Sequence, residues 1–213
     1  MRITTLNVYA GLTGMYIVED PELEERFDLP RGDYDIPLIL QSRRYTSTGN
    51  ITNETNERRS TYGDTFSVNG QILPYLIVEP RKYRCRILNA AASRTFNLTL
   101  ETNSGPASLP FHVVAADAGY MARPVQTSSL VVAMAERWEV VIDFTGLAGT
   151  NVTVRQANCF VDTEYVGSDK VMQFRVAGPV TSEDGNGPLP SALVPIPTLK
   201  DRAIDKTFVF GGM

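Results

Sequence analysis

The 213-residue chain holds one histidine, His112, and two cysteines, Cys85 and Cys159. Catalytic zinc sites draw three protein ligands, and copper centres draw several imidazoles with or without a thiolate. A complete catalytic metal site built from this chain alone is therefore not expected. Basic charge is also short. Lys and Arg total 20 against 24 Asp and Glu, a net charge of −4, which leaves no basic footprint for nucleic acid. No apolar run approaches the roughly 18 to 20 residues of a membrane helix, and Met1-Arg2-Ile3-Thr4 leads into no secretory h-region. P-loop, nucleophile-elbow, GxGxxG and CxxC patterns are missing too, which closes the usual motif routes to an enzyme class.

What is present is a succession of short strands. In Tyr83-Arg84-Cys85-Arg86-Ile87 apolar and charged residues alternate, the period-two signature of a strand with one wet face. Phe96, Leu98 and Leu100 alternate with Asn97, Thr99 and Glu101, and Trp138, Val140, Ile142 and Phe144 with Glu139, Val141 and Asp143. Met172, Phe174 and Val176 do the same against Gln173 and Arg175. Turn signals at Asn69-Gly70, Glu79-Pro80, Ala118-Gly119 and Thr145-Gly146 punctuate them, so the expectation is an all-β, antiparallel β-sandwich. Toward the N-terminus, Leu12 to Val18 reads as a Gly-punctuated apolar strand, and the acidic stretch from Glu19 to Glu25 as one or two helical turns. The stretch from Gly178 to Pro197, rich in Pro, Gly and Ser, reads as a linker, and Lys206 to Met213 as the opening of a new strand.

The candidate site residues each carry an ordinary reading. His112 shares a strand face with Val114, and a lone imidazole there is expected to be structural. Cys85 falls on the inward phase and behaves as a small hydrophobe, while Cys159 falls at a strand end or loop; a disulfide between them requires facing positions that periodicity does not supply. Asp64 and Asp117 occupy turn contexts, Glu136-Arg137 reads as a local ion pair, and Asp143 falls on a polar strand face. Arg43-Arg44 and the run from Arg81 to Arg86 read as solvated faces. Four N-x-S/T sequons, at Asn50, Asn53, Asn97 and Asn151, point toward a secretory history, with Asn97 and Asn151 on outward phases.

The string Gly63-Asp64-Thr65-Phe66-Ser67-Val68-Asn69-Gly70-Gln71, followed by Pro74-Tyr75 and by Val78 to Arg84, closely resembles the second cupredoxin domain of multicopper oxidases. The likeness continues through Arg86-Ile87-Leu88-Asn89-Ala90, Ser93-Arg94, Ala116-Asp117-Ala118-Gly119, Ala135-Glu136-Arg137 and Lys170 to Phe174. Gln41-Ser42-Arg43-Arg44-Tyr45-Thr46 resembles the fungal bilirubin-oxidase-like, laccase-like branch. The resemblance implies a cupredoxin-like Greek-key sandwich over residues 35–177, with strand remnants of neighbouring domains at both ends. Residues 1–20 would end domain one, 21–34 connect, 178–206 link, and 207–213 open domain three. It further implies that copper belongs to the full-length family and none to this stretch, because the family's ligand motifs lie in the domains before and after it. On that reading the partners are cupredoxin domains one and three and a phenolic small molecule, with no nucleic acid and no membrane, and the location is extracellular. The alternative is a stand-alone degenerate cupredoxin, a binding or auxiliary protein or a metal-free small-molecule enzyme. Such a protein would protect the apolar faces of Ile17 and Phe208, for instance as a homodimer through edge strands.

Overall fold

The computed structural model describes residues 2–52, 61–103, 108–158 and 168–197, with Thr207 and Val209, and gives backbone only for 2–4. Two helices open the chain, α1 (Arg2–Ala10) and α2 (Pro21–Phe27). The strands follow: β1 (Asp35–Tyr45), β2 (Ile51–Thr52), β3 (Thr65–Val68), β4 (Gln71–Ile72), β5 (Tyr75–Val78), β6 (Lys82–Asn89) and β7 (Phe96–Thr102). After them come β8 (Phe111–Ala116), β9 (Gly119–Thr127), β10 (Ser129–Val132), β11 (Arg137–Asp143), β12 (Asn151–Asn158) and β13 (Lys170–Val176).

The strands form two sheets. The larger has the order β4-β3-β1-β6-β11-β8-β9, with β2 added to β1, and the smaller has the order β10-β7-β12-β13-β5. Neither is purely antiparallel, because β1 runs parallel to β6 (Asp35 opposite Arg84) and β5 runs parallel to β13 (Tyr75 opposite Gln173). Local alternation fixes which residues face inward, but pairing direction depends on connections between distant strands. The inward phases meet in one core, where Cys85, Ile87, Phe96, Leu98, Val140, Ile142, Phe144 and Phe174 pack together. Ring pairs such as Phe66 on Phe96 and Tyr83 on Phe144, with centroids 5.3 and 5.9 Å apart, add edge-to-face contacts. Asn89, at the end of β6, ties the sandwich's rim. Its buried amide donates to the carbonyls of Arg94 (2.8 Å) and Val132 (2.9 Å) and accepts from the Ala91 N–H (2.9 Å).

The outer face of the larger sheet is covered as well. Phe27 and Leu29 pack with Val114, Val141 and Leu193 into a second, smaller apolar cluster. The acidic stretch does form a helix: Asp20 caps α2 by accepting from the Glu22 and Leu23 N–H groups, and Pro21 stands in its first turn. Residues 178–197 carry no regular structure, yet they pack closely on this face and do not hang free. Wholly buried Arg81 stacks 3.4 Å from the centre of the Tyr34 ring and donates to the carbonyls of Ser182 and Asp184. Lys82 bonds Asn186 through its backbone and its ammonium, and Arg26 donates to the Leu193 carbonyl at 3.1 Å. Gly185, at φ 66°, lies so close to Leu29 that a Cβ there would stand 2.6 Å from the Leu29 carbonyl oxygen. A strap without secondary structure holds its place here by side-chain bonds to its backbone, which composition does not reveal.

The N-terminal expectation needs correcting. The regular element is the helix α1, which ends at Gly11 (φ 112°), and residues 12–20 form no strand. Leu12 and Tyr16 are 72% and 91% exposed; an apolar run becomes a strand only where an edge is there to pair with it. Tyr9 docks α1 instead, donating to the Thr52 carbonyl and accepting from the Arg44 N–H. At the other end, Phe208 and most of the expected opening strand lie outside the described residues.

Candidate functional site

The most concentrated set of charged groups lies between the larger sheet and its outer layer. Because Tyr83, Cys85 and Ile87 face the core, Lys82, Arg84 and Arg86 must face outward, and the sequence predicts water there. The structure places α2 and the chain leading into β1 over them instead. Arg84 is 1% exposed and Arg86 5%. Burying a guanidinium requires paired carboxylates, and three elements supply them. Asp35, the first residue of β1, accepts from Arg84 at 2.7 Å and from Arg86 at 2.8 Å. Glu24 on α2 bonds Arg84 at 2.8 Å, and Glu139 on β11 bonds Arg86 at 2.8 Å. The Tyr120 hydroxyl on β9 donates to Glu24 at 2.5 Å and lies 3.3 Å from Arg84. Arg43 is likewise buried, donating to the Tyr9 carbonyl and the Gln41 side chain, so neither arginine segment is the solvated face that alternation predicts.

The electrostatics follow from the geometry. Burial by itself pulls the Arg84 pKa down, but its hydrogen bonds to Asp35 and Glu24 and the charges of Asp35 and Glu139 reverse this and lift it above arginine's ordinary value. Burial pushes the Tyr120 hydroxyl up, and its bond to Glu24 adds to the rise. Glu139 meets Arg86 through one oxygen only, and its pKa is raised: burial is the largest cause, Arg84 and Arg86 oppose it, and Asp35 and Glu24 add to the rise. One Glu139 oxygen and the Arg84 Nε stand 3.8 Å apart, each buried without a hydrogen bond.

The other carboxylates are fixed by ordinary partners. Asp64 pairs with Arg44 at 3.3 Å, and Asp143 accepts from the Thr145 N–H and pairs with Lys82 at 3.4 Å. Asp117 pairs with Arg137 (3.1 Å) and accepts its N–H, a residue across the sheet and not the nearby turn backbone. Glu136 therefore does not pair with Arg137; it accepts from the Ala133 N–H and the Trp138 indole N–H. The expected local ion pair does not form: Glu136 is taken by N–H donors close to it in sequence, and Arg137 is met by Asp117 from the neighbouring strand.

His112 and Cys85 are not brought together. His112 lies on β8 in the row of Val141 and Gln126, on the outer face with Val114, whereas Cys85 lies on β6 inside the core. Burial pushes the Cys85 thiol up to about 12, which suits a packing residue and not a metal thiolate. Among the described residues no three His, Cys, Asp or Glu side chains are grouped so as to hold a metal ion. This donor set does not fit a copper centre, which needs several imidazoles about one point. Cys159 lies outside the described residues. Of the sequons, Asn50 is exposed in a turn, Asn151 is half-buried at the start of β12, and Asn97 sits mid-sheet between Val131 and Ala157 with its amide oxygen buried. Asn53 lies outside the described residues.

Residues 35–162 match the family model described as multicopper oxidase. The chain belongs to the multicopper oxidase family. It is 44% identical over 192 residues to the bilirubin oxidase of Albifimbria verrucaria, a match that covers 86% of this chain and 33% of that protein. It is 38% identical over 197 residues to a laccase of Bacillus subtilis, covering 86% of this chain and 37% of the laccase. Among solved structures it is similar to the McoA multicopper oxidase of Aquifex aeolicus, with a TM-score of 0.81 at 29% identity, covering 92% of this chain and 43% of McoA. The chain thus spans about a third of the length of these curated relatives. No described helix of this multicopper oxidase chain is long and apolar enough to cross a membrane.

Glu139 and Asp143, both on β11, give opposite pH responses. The folded pKa of Glu139 lies above its ordinary 4.5, so its stabilisation is complete below that value and is lost as pH rises through the folded pKa. The folded pKa of Asp143 lies below its ordinary 3.8, because its bonds to Thr145 and Lys82 outweigh burial; its stabilisation is present above 3.8 and is lost as pH falls through the folded pKa. In urea unfolding across pH, Glu139→Gln is expected to flatten the decline on the alkaline side of 4.5, and Asp143→Asn to flatten the acid-side loss. Parallel curves for wild type and both variants would contradict these assignments.

Proposed function

We propose that this chain is the middle cupredoxin unit of a multicopper oxidase, which in the whole protein holds the two copper-bearing units in register. Those neighbouring cupredoxin domains are its partners. The whole enzyme would oxidise phenolic or tetrapyrrole-like small molecules in one-electron steps and reduce dioxygen to water. The observation that carries this reading is the position of the soft donors. The family match runs through the sandwich, yet the one histidine and the described cysteine lie on opposite faces of the larger sheet. A chain so arranged contributes shape and stiffness to copper chemistry, and no ligand.

Copper analysis of the purified 213-residue chain after incubation with copper salt is the direct test. The expected result is copper far below one ion per chain, with no oxygen uptake in the presence of a phenolic dye. Stoichiometric copper, or turnover of the dye, would overturn the proposal.

The sequons support an extracellular location for the whole protein, and the structure favours Asn50 as an acceptor because its turn is exposed while Asn97 is locked within paired strands. Glycopeptide mass spectrometry on material from a secretory host is expected to find Asn50 modified and Asn97 bare. The reverse pattern would count against this placement.

A further inference from the structure

The outer face of the smaller sheet carries a groove of about 370 Å³, lined by Leu73, Pro74 and Tyr75, with Arg175 toward one end and Arg155 and Lys170 toward the other. Strand register builds it. Thr153, Gln173 and Tyr75 form one row across β12, β13 and β5, and Asn151, Arg175 and Ile77 form the next. Alternation sends these residues away from the core, as Val152, Phe174 and Leu76 turn inward.

The polar side chains of these rows are linked. The Gln173 amide lies 3.5 Å from the Thr153 hydroxyl and accepts from the Arg175 Nε at 3.1 Å, while the Arg175 guanidinium stacks 3.6 Å from the centre of the Tyr75 ring. Held at one edge and on one face, the guanidinium keeps its two terminal nitrogens, and neither is in a hydrogen bond among the described residues. Of the three cations, Arg155 is neutralised by Glu101 (2.9 Å) and Asp169, but Arg175 and Lys170 have no carboxylate partner among the described residues. Among the described residues, no Asp or Glu lines the groove. A planar fork stiffened in this way is suited to bidentate capture of a carboxylate, and less entropy is lost in ordering it than for a free arginine. Leu73, Pro74 and the exposed edge of Tyr75 offer an apolar wall beside the charge. The volume lies toward the lower end of the range for small-molecule sites, about 300–1,000 Å³.

We propose that this groove binds a small aromatic carboxylate, its carboxylate on Arg175 and its ring against Leu73, Pro74 and Tyr75, with Lys170 adding positive charge from the far end. The site uses neither His112 nor the buried arginine cluster and needs no copper, so it stands apart from the oxidase reading.

Calorimetric titration of the full chain with benzoate, and with benzamide as the uncharged control, tests it. The expected result is saturable binding of one benzoate per chain, none of benzamide at the same concentrations, and weakening as salt is raised. Arg175→Ala is expected to weaken benzoate binding at least about tenfold, Arg175→Lys less, and Lys170→Ala a few-fold. Both positions are exposed, and circular dichroism and the urea midpoint are expected to match wild type. Absence of saturable benzoate binding, equal binding of benzamide, or unchanged affinity in Arg175→Ala would each overturn the proposal.

Discussion

Two guanidiniums on one strand, buried under a helix, are the constraint on which the outer half of this molecule depends. Arg84 and Arg86 cannot return to water without lifting α2, and α2 cannot lift without stripping Glu24 from Arg84. Asp35 bridges both arginines from the first residue of β1, so the cluster also fixes where the parallel β1–β6 pairing begins. Replacing such a cluster by apolar residues of similar volume is often nearly neutral, whereas removing one member strands the others and costs about 3–5 kcal/mol. Its contribution is therefore to specify one arrangement of helix, strand and strap. Mere adhesion comes from the neighbouring apolar patch of Phe27, Leu29, Val114, Val141 and Leu193.

Among the described residues, this arrangement gives the larger sheet two covered faces and the smaller sheet one. The covered side is closed by the strap that Arg81 and Arg26 hold by its carbonyls. The uncovered side is a polar plane in which Thr, Asn, Gln and Arg side chains alternate with core aliphatics. The layers are locked by charge on one side, and the other side carries the groove beside Arg175.

Period-two alternation made much of the sandwich legible. It placed Cys85, Phe96, Leu98, Val140, Ile142 and Phe174 inward, and all of them are in the core. Alternation says which face a residue takes and nothing about what covers that face, which is why Arg84 and Arg86 read as solvated and prove buried. The carboxylates that hold them come from positions 24, 35 and 139, too far apart in sequence for any local pattern to join. The strap was illegible for the same reason: Pro, Gly and Ser predict irregular backbone correctly, but its docking rests on Arg81, Lys82 and Arg26 bonding its backbone. The helix α1 was missed because the apolar run after Gly11 is the stronger local signal, although it finds no strand to pair with. The likeness of Ile87-Leu88-Asn89-Ala90 to the family was visible as a string; that the Asn89 amide ties three backbone groups at the rim was not.

The arginine cluster makes α2 part of the cooperative fold and not an appendage. Hydrogen–deuterium exchange of the α2 amides, compared between wild type and Arg84→Met, tests this most directly. The account predicts that in wild type the protected amides of α2 exchange with nearly the same opening free energy as those of β6, and that Arg84→Met lowers α2 protection by two orders of magnitude or more, as a loss of about 3–5 kcal/mol requires. Fast exchange of α2 in wild type while β6 stays protected, or α2 protection unchanged by the substitution, would contradict it.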